Sequence, residues 1–172
     1  MNKKIRLSER LHLVFEHLIL NQDVWDFCCD HGYLAAAAYK SEAFKDIYFV
    51  DQVPNLIHKI ENKFQQFLLD HHHRSKVFFI AKPAESLQQE IFGTVSITGV
   101  GGTTIYKILN QLLMNKKLKA SRLILGPHRD NDKLLKLIES NLLFSKYLLS
   151  AKKEMTENKK IRTFFIYDLI LI

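Results

Sequence analysis

Two acidic residues that close apolar runs carry the strongest chemical signal in this chain. Asp26 ends the run that opens at Val24, and Gly32 follows six residues later, ahead of the small-residue run Ala35 to Ala38. A second apolar run, Ile47 to Val50, ends in Asp51. Strand, tight turn and helix, followed by a second strand tipped with an acid, is the pattern of an α/β domain that holds a nucleoside. One carboxylate steadies the turn and meets the polar end of a ligand. The other accepts hydrogen bonds from ribose hydroxyls. Each acid also has a purely local use: Asp26 beside a helix N-terminus, and Asp51 as a cap ahead of Pro54.

The elements that must position these groups follow from apolar periodicity. Leu7, Leu11, Val14, Phe15 and Leu18 share one helical face. Val24 to Cys29 reads as a buried strand, Tyr33 to Ala43 as a helix and Ile47 to Val50 as a second strand. Pro54 suits a first helical turn, and Leu56, Ile60, Phe64 and Phe67 then recur at helical spacing. After the loop DHHHRS come a third strand at Val77 to Ile80 and a short helix at Ala84 to Phe92. A fourth strand, Thr94 to Thr98, stops at GVGG (Gly99 to Gly102), and Ile105, Ile108, Leu109 and Leu112 mark a helix. Arg122 to Leu125 is a fifth strand broken by Gly126-Pro127-His128, and Leu134, Leu135 and Ile138 mark the last helix. Tyr147 to Ser150 and Phe164 to Ile172 read as a closing hairpin joined through TENKK. The expected fold is α/β: a mostly parallel seven-stranded sheet with an antiparallel C-terminal hairpin and helices on both faces.

Composition bounds the class. The 172 residues favour one domain, 1–172, and 47% apolar residues suffice for a sizeable core. No apolar run reaches the roughly 18 residues that span a bilayer, so no membrane partner is expected. The opening MNKKIRLSER lacks a secretory pattern. The only cysteines, Cys28 and Cys29, are neighbours, too close to bridge readily and too few for a zinc set, which points to a reducing cytoplasm. The net charge is +7, with bases clustered at Lys3, Lys4, Arg6 and Arg10, at Lys116 to Arg122, and at Lys152, Lys153, Lys159, Lys160 and Arg162. Such clusters suit a polyanion such as RNA, or are solvated helix ends and loops. Three consecutive histidines, His71 to His73, converge poorly on one ion, so a polar loop is expected and no metal. The thiols read as apolar filling, and Trp25 and Phe27 as core. A nicotinamide-dinucleotide enzyme is disfavoured by the lack of a G-x-G-x-x-G turn.

Four segments in order resemble the bacterial tRNA adenine-22 N1-methyltransferases, whose first motif runs D-x-G-S-D-H-x-Y-L-P. Here the stretch is DFCCDHGYLA, carrying Asp26, Asp30, His31, Tyr33 and Leu34. VDQVP matches the acidic second-strand end, GVGG the family's G-M-G-G, and RLILGPH its R-L-I-L-Q-P-N. The resemblance runs from about Leu7 to the end of the chain. It implies a Rossmann-like class I methyltransferase using S-adenosyl-L-methionine, with tRNA as substrate partner.

The resemblance also implies roles. Asp26 and Gly32 would lie near the methionine part of the cofactor, Asp51 with Gln52 at its ribose, and Gly99 and Val100 beside the methyl-bearing sulfur. Cys28 stands where the motif has glycine, and Pro83 where the family has a third-strand aspartate, a loss for which Glu85 is the available substitute. Asp30 accepts a hydrogen bond from the exocyclic amine of the target adenine, favouring the cationic N1 product, or binds the cofactor's ammonium group, or is a structural turn aspartate. His31, Tyr33 and His128 are the candidates for contact with the target base, or for simple packing. The family's C-terminal helical hairpin has no counterpart in this sequence, so tRNA would be held by an accessory basic surface or by a partner. Two alternatives stay open: a methyltransferase for a small molecule or protein, and a non-catalytic nucleoside- or RNA-binding module.

Overall fold

The computed structural model describes residues 5–68 and 74–170. Helix α1 (Glu9–Glu16) starts where the Ser8 hydroxyl accepts the Leu11 N–H at 3.3 Å. Strand β1 (Val24–Phe27) is buried along its whole length and leads to α2 (Tyr33–Ser41). Then come β2 (Ile47–Asp51), α3 (Pro54–Leu68), β3 (Val77–Ala81) and β4 (Thr94–Thr98). Next are α4 (Gly102–Met114), β5 (Arg122–Gly126) and α5 (Asn131–Glu139), and the long strands β6 (Tyr147–Glu157) and β7 (Lys160–Leu169) close the chain.

The strands form one seven-stranded sheet of order β3-β2-β1-β4-β5-β7-β6. β1 pairs in parallel with both β2 and β4, Val24 lying opposite Ile47 on one side and Thr94 on the other. The strand order therefore reverses at β1, which opens a crevice beyond the carboxyl ends of β1 and β4. β7 runs antiparallel to β5 and to β6. Alternation along β1 sends Trp25 and Phe27 into the core that α4 and α5 cover, and Val24 towards the core under α1, α2 and α3. Asp26 shares the second side, where it meets α2. The α/β fold, the seven strands and the terminal hairpin are as the sequence predicts, and Trp25 and Phe27 are core.

Boundaries differ from expectation most clearly in three places. β1 ends at Phe27 instead of Cys29, because Cys28 (φ 56°) and Asp30 (φ 48°) turn the backbone into the left-handed region. The helix expected over Ala84 to Phe92 is only a 3-10 turn at Ala84–Ser86. Ala84, Leu87 and Ile91 are buried at helix-like spacing, but Ile91 pairs with Leu118 as a bridge, so the spacing is met by extended chain. The hairpin has no TENKK loop. Asn158 and Lys159, both with positive φ, make a two-residue turn, and pairing continues outward to Glu157 opposite Lys160. The predicted face of α3 shifts as well: Ile57, Ile60 and Phe64 are buried, whereas Leu56 faces the crevice. His71 to His73 lie outside the described residues.

Candidate active site

A cleft of about 720 Å³ opens over the carboxyl ends of β1, β2 and β4, well within the range of small-molecule sites. On its floor Asp26 is 4% exposed, and among the described residues its Oδ2 accepts one hydrogen bond, of 3.4 Å, from Ala35 N–H at the start of α2. Burial pushes its carboxyl up to about 8, against the opposing pull of that hydrogen bond, and the nearby Asp51 charge adds to the rise. A buried acid with so little donor support is suited to a cationic or hydrogen-bond-donating partner supplied from the cleft.

Asp51, at the tip of β2, ties the rim together. Its Oδ1 accepts from Val53 N–H at 2.9 Å and its Oδ2 from Asp30 N–H at 3.4 Å. Each oxygen retains acceptor capacity for hydroxyl donors. The Asx-type contact to Val53 means that the capping role and a ligand role coexist in one side chain. Asp30 and His31 stand at the mouth, 3.8 Å apart between Oδ2 and Nε2 and both exposed. The ring of Tyr33, half exposed, lies 5.7 Å from that of His31.

The opposite wall is built by backbone. Gly99 has φ 81°, a conformation that favours glycine, and its Cβ position meets no atom within 4 Å, so the chain there is open to a ligand. His128 N–H donates to Val100 O at 2.8 Å, joining the loops after β5 and β4. Burial pushes the thiols at the floor upward, Cys28 to about 12 and Cys29 as well, which disfavours the thiolate at neutral pH.

Of the candidate residues, Asp26, Cys28, Asp30, His31, Tyr33, Asp51, Gln52, Gly99, Val100 and His128 line this one cleft. Two candidates do not. Gly32 sits behind it with φ 67°, and a Cβ there would lie 2.8 Å from the Phe49 ring, so its service is to let α2 start against β2. Glu85 is held 3.0 Å from Lys107 Nζ and is not one of the lining residues, although its charge acts on Cys28. Among the described residues no group of His, Cys, Asp and Glu is arranged to hold a metal ion.

Residues that sequence reasoning did not place at the site are Arg6, Ser8, Arg10 and Leu11, which form a lip, and Thr98 at the end of β4. The first two arginines were visible as a basic cluster. Their seat over the cleft depends on α1 docking on α2 through Leu11, Val14 and Leu18, which no local pattern reveals.

Comparison with known proteins agrees with this architecture. No curated protein sequence matches the chain. Among solved structures, the Bacillus subtilis m1A22 tRNA methyltransferase TrmK superposes with a TM-score of 0.80 at 19% identity, over 96% of this chain and 68% of that one. Mycoplasma capricolum TrmK, in complex with S-adenosyl-homocysteine, gives 0.74 at 21% identity, over 95% and 69%. Magnesium protoporphyrin IX methyltransferase from Synechocystis, with bound S-adenosylmethionine, gives 0.64 at 12% identity, over 94% and 75%. At such identities the likeness is one of fold, the Rossmann-like methyltransferase fold. The sequence itself matches the family model for the methyltransferase domain over residues 7–165. With that match across nearly the whole chain, and a ligand-sized cleft where the strand order reverses, the protein belongs to the methyltransferase domain family.

Proposed function

We propose that this protein transfers a methyl group from S-adenosyl-L-methionine to N1 of an adenine in tRNA. The observation that carries the reading is the convergence of Asp26, Asp51 and the Gly99 backbone on one cleft at the switch point of the sheet. These residues fit the cofactor by chemistry. Asp26 offers a buried, donor-poor carboxylate to an ammonium group. Asp51 offers two oxygens to ribose hydroxyls. Gly99 leaves clear space for the atoms around the sulfur. The solved structures of similar fold that hold S-adenosylmethionine or its product support the same choice, and the likeness to an m1A22 tRNA methyltransferase supports the substrate.

The cofactor supplies an already activated methyl group, so the task of the chain is alignment and exclusion of water. Positioning of this kind can account for roughly 7–11 kcal/mol of a barrier. Asp30, at the mouth beside His31, would accept a hydrogen bond from the adenine amine and so favour charge on the ring. Tyr33, half exposed at the same rim, offers a face on which an unpaired base can stack. Extruding that base costs a few kcal/mol, which stacking and phosphate contacts offset. No described helix is long and apolar enough to cross a membrane, and two free cysteines suit the reducing cytoplasm in which we place the reaction.

The test is direct. The protein is incubated with unmodified tRNA and methyl-labelled S-adenosylmethionine, and the digested nucleosides are resolved by mass spectrometry. Label in 1-methyladenosine is the expected result. Label in another nucleoside, or in small-molecule acceptors alone, would replace the proposed substrate.

A further inference from the structure

Three clusters of basic residues punctuate the sequence, and the fold treats them differently. Lys116 to Arg122 leads into β5 and lies at the amino edge of the sheet, away from the cleft. Arg6 and Arg10 of the N-terminal cluster and the bases of the hairpin come together at the opposite edge. β7 pairs with β5 only from Phe165 to Asp168, whereas its pairing with β6 runs on to Lys160 opposite Glu157. Phe164 packs at the level of Gly126. The four residues beyond it, at about 3.3 Å each, carry the hairpin roughly 13 Å past the carboxyl end of β5. The hairpin is thus an arm standing beside the mouth of the cleft.

Its side chains are sorted by the register. Lys153, Met155 and Glu157 share a face with Phe164, Arg162 and Lys160. Met155 and Phe164 join the apolar cluster under α1, which turns this face towards the N-terminal lip. Arg10, Arg162 and His128 surround a small notch there, and Arg10 and His128 also line the main cleft. Between residues 152 and 162 there are five bases and two acids. Both acids are already engaged, Glu154 with Lys152 at 2.8 Å and Glu157 with Arg162 at 3.7 Å. Lys153, Lys159 and Lys160 are exposed, with no ion pair among the described residues. Arg10 Nε is enclosed without a hydrogen-bond partner. Free cations on an arm and arginines on the cleft lip are the kind of charge that suits a chain of phosphates.

We propose that the β6–β7 hairpin and the α1 lip together grip the phosphodiester backbone of the substrate nucleic acid, with Lys153, Lys160 and Arg10 as its main contacts. This rests on the proposed function and names the surface by which the RNA is held. The hairpin supplies a grip from within the catalytic domain itself.

The test uses the full chain and fluorescence anisotropy with labelled, unmodified tRNA across a series of salt concentrations. Lys153→Gln/Lys160→Gln should weaken tRNA binding by at least about fivefold at 0.1 M salt, and lower the slope of log K against log salt by about 1.4–1.8. Lys116→Gln/Lys119→Gln removes the same charge from the amino edge and should leave tRNA affinity within about twofold, as expected for cations without phosphate contacts. Affinity for S-adenosylhomocysteine and the melting temperature should be unchanged in both. Equal tRNA affinity and slope in the hairpin variant and the wild type would overturn the proposal, even if the wild type methylates tRNA. So would equal losses in the two variants. If the wild type binds tRNA through the hairpin but transfers no methyl group, the grip stands and the catalytic reading fails.

Discussion

Asp51→Asn separates the two jobs that the β2-terminal carboxylate performs. In the native structure Oδ1 accepts from Val53 N–H at 2.9 Å and Oδ2 from Asp30 N–H at 3.4 Å. Asparagine keeps an acceptor for Val53 and loses only the longer contact. That should cost stability about 0.5–1 kcal/mol, a fall in Tm of roughly 1–4 °C for a chain of this size. The ligand should feel more. A ribose hydroxyl donating to a carboxylate contributes about 1.5–3 kcal/mol, and with 1.4 kcal/mol per decade its loss weakens binding roughly 10- to 100-fold. Asp51→Ala should bind about as poorly as the asparagine variant but lose roughly a further 1 kcal/mol of stability, because the Val53 contact goes too. Calorimetric titration with S-adenosylhomocysteine gives the affinities, and thermal unfolding without ligand gives the stabilities. An asparagine variant that melts like the wild type and binds within about threefold of it would refute the ribose assignment.

Three further outcomes follow from the geometry. Asp26 has its folded-state carboxyl raised to about 8, so its stabilising influence is greatest below the unfolded value and declines as pH rises through about 8. A cationic ligand group should ionise it: S-adenosylhomocysteine binding at pH 7 should release a proton, giving calorimetric heats that vary with buffer ionisation enthalpy, and Asp26→Asn should abolish that variation. Identical heats across buffers for the wild type would count against an ammonium contact. Gly32→Ala combines a left-handed φ with a Cβ 2.8 Å from Phe49; we expect a loss of about 2–5 kcal/mol, a Tm fall on the order of 10 °C, and an unaltered melt would show that α2 shifts freely on β2. Asp168 is held low by the Arg122 guanidinium that donates to both of its oxygens at 2.7 and 3.0 Å. That pair stabilises above the ordinary carboxylate range and fails as pH falls through the lowered value, so Asp168→Asn should destabilise by about 1 kcal/mol at pH 7 and progressively less in acid, read from unfolding midpoints across pH.

Much of the molecule was settled by the sequence alone, wherever the deciding interaction is local. The strand, turn and helix around Asp26, the acid at the end of β2 and the glycines after β4 are legible because apolar periodicity and turn chemistry act within a few residues. The alternation of strands and helices also gives the parallel sheet, since a parallel neighbour needs a covering crossover between; the order of its strands does not follow from it. Tertiary structure decided the rest, because those outcomes depend on what a segment meets. Glu85, the available substitute for the third-strand acid, pairs with Lys107 on α4, a contact that no local pattern reveals. Gly32 leaves room for an aromatic ring on β2, a demand that only the packing of α2 reveals. Ala84, Leu87 and Ile91 have helix-like spacing, yet Leu118 draws Ile91 into a bridge. The arginines of the N-terminus and the lysines of the hairpin are about 150 residues apart in sequence. Only the docking of α1, and an antiparallel strand that outruns its neighbour, set them at one opening, since periodicity tells which face of an element is buried but not what comes to lie beside its end.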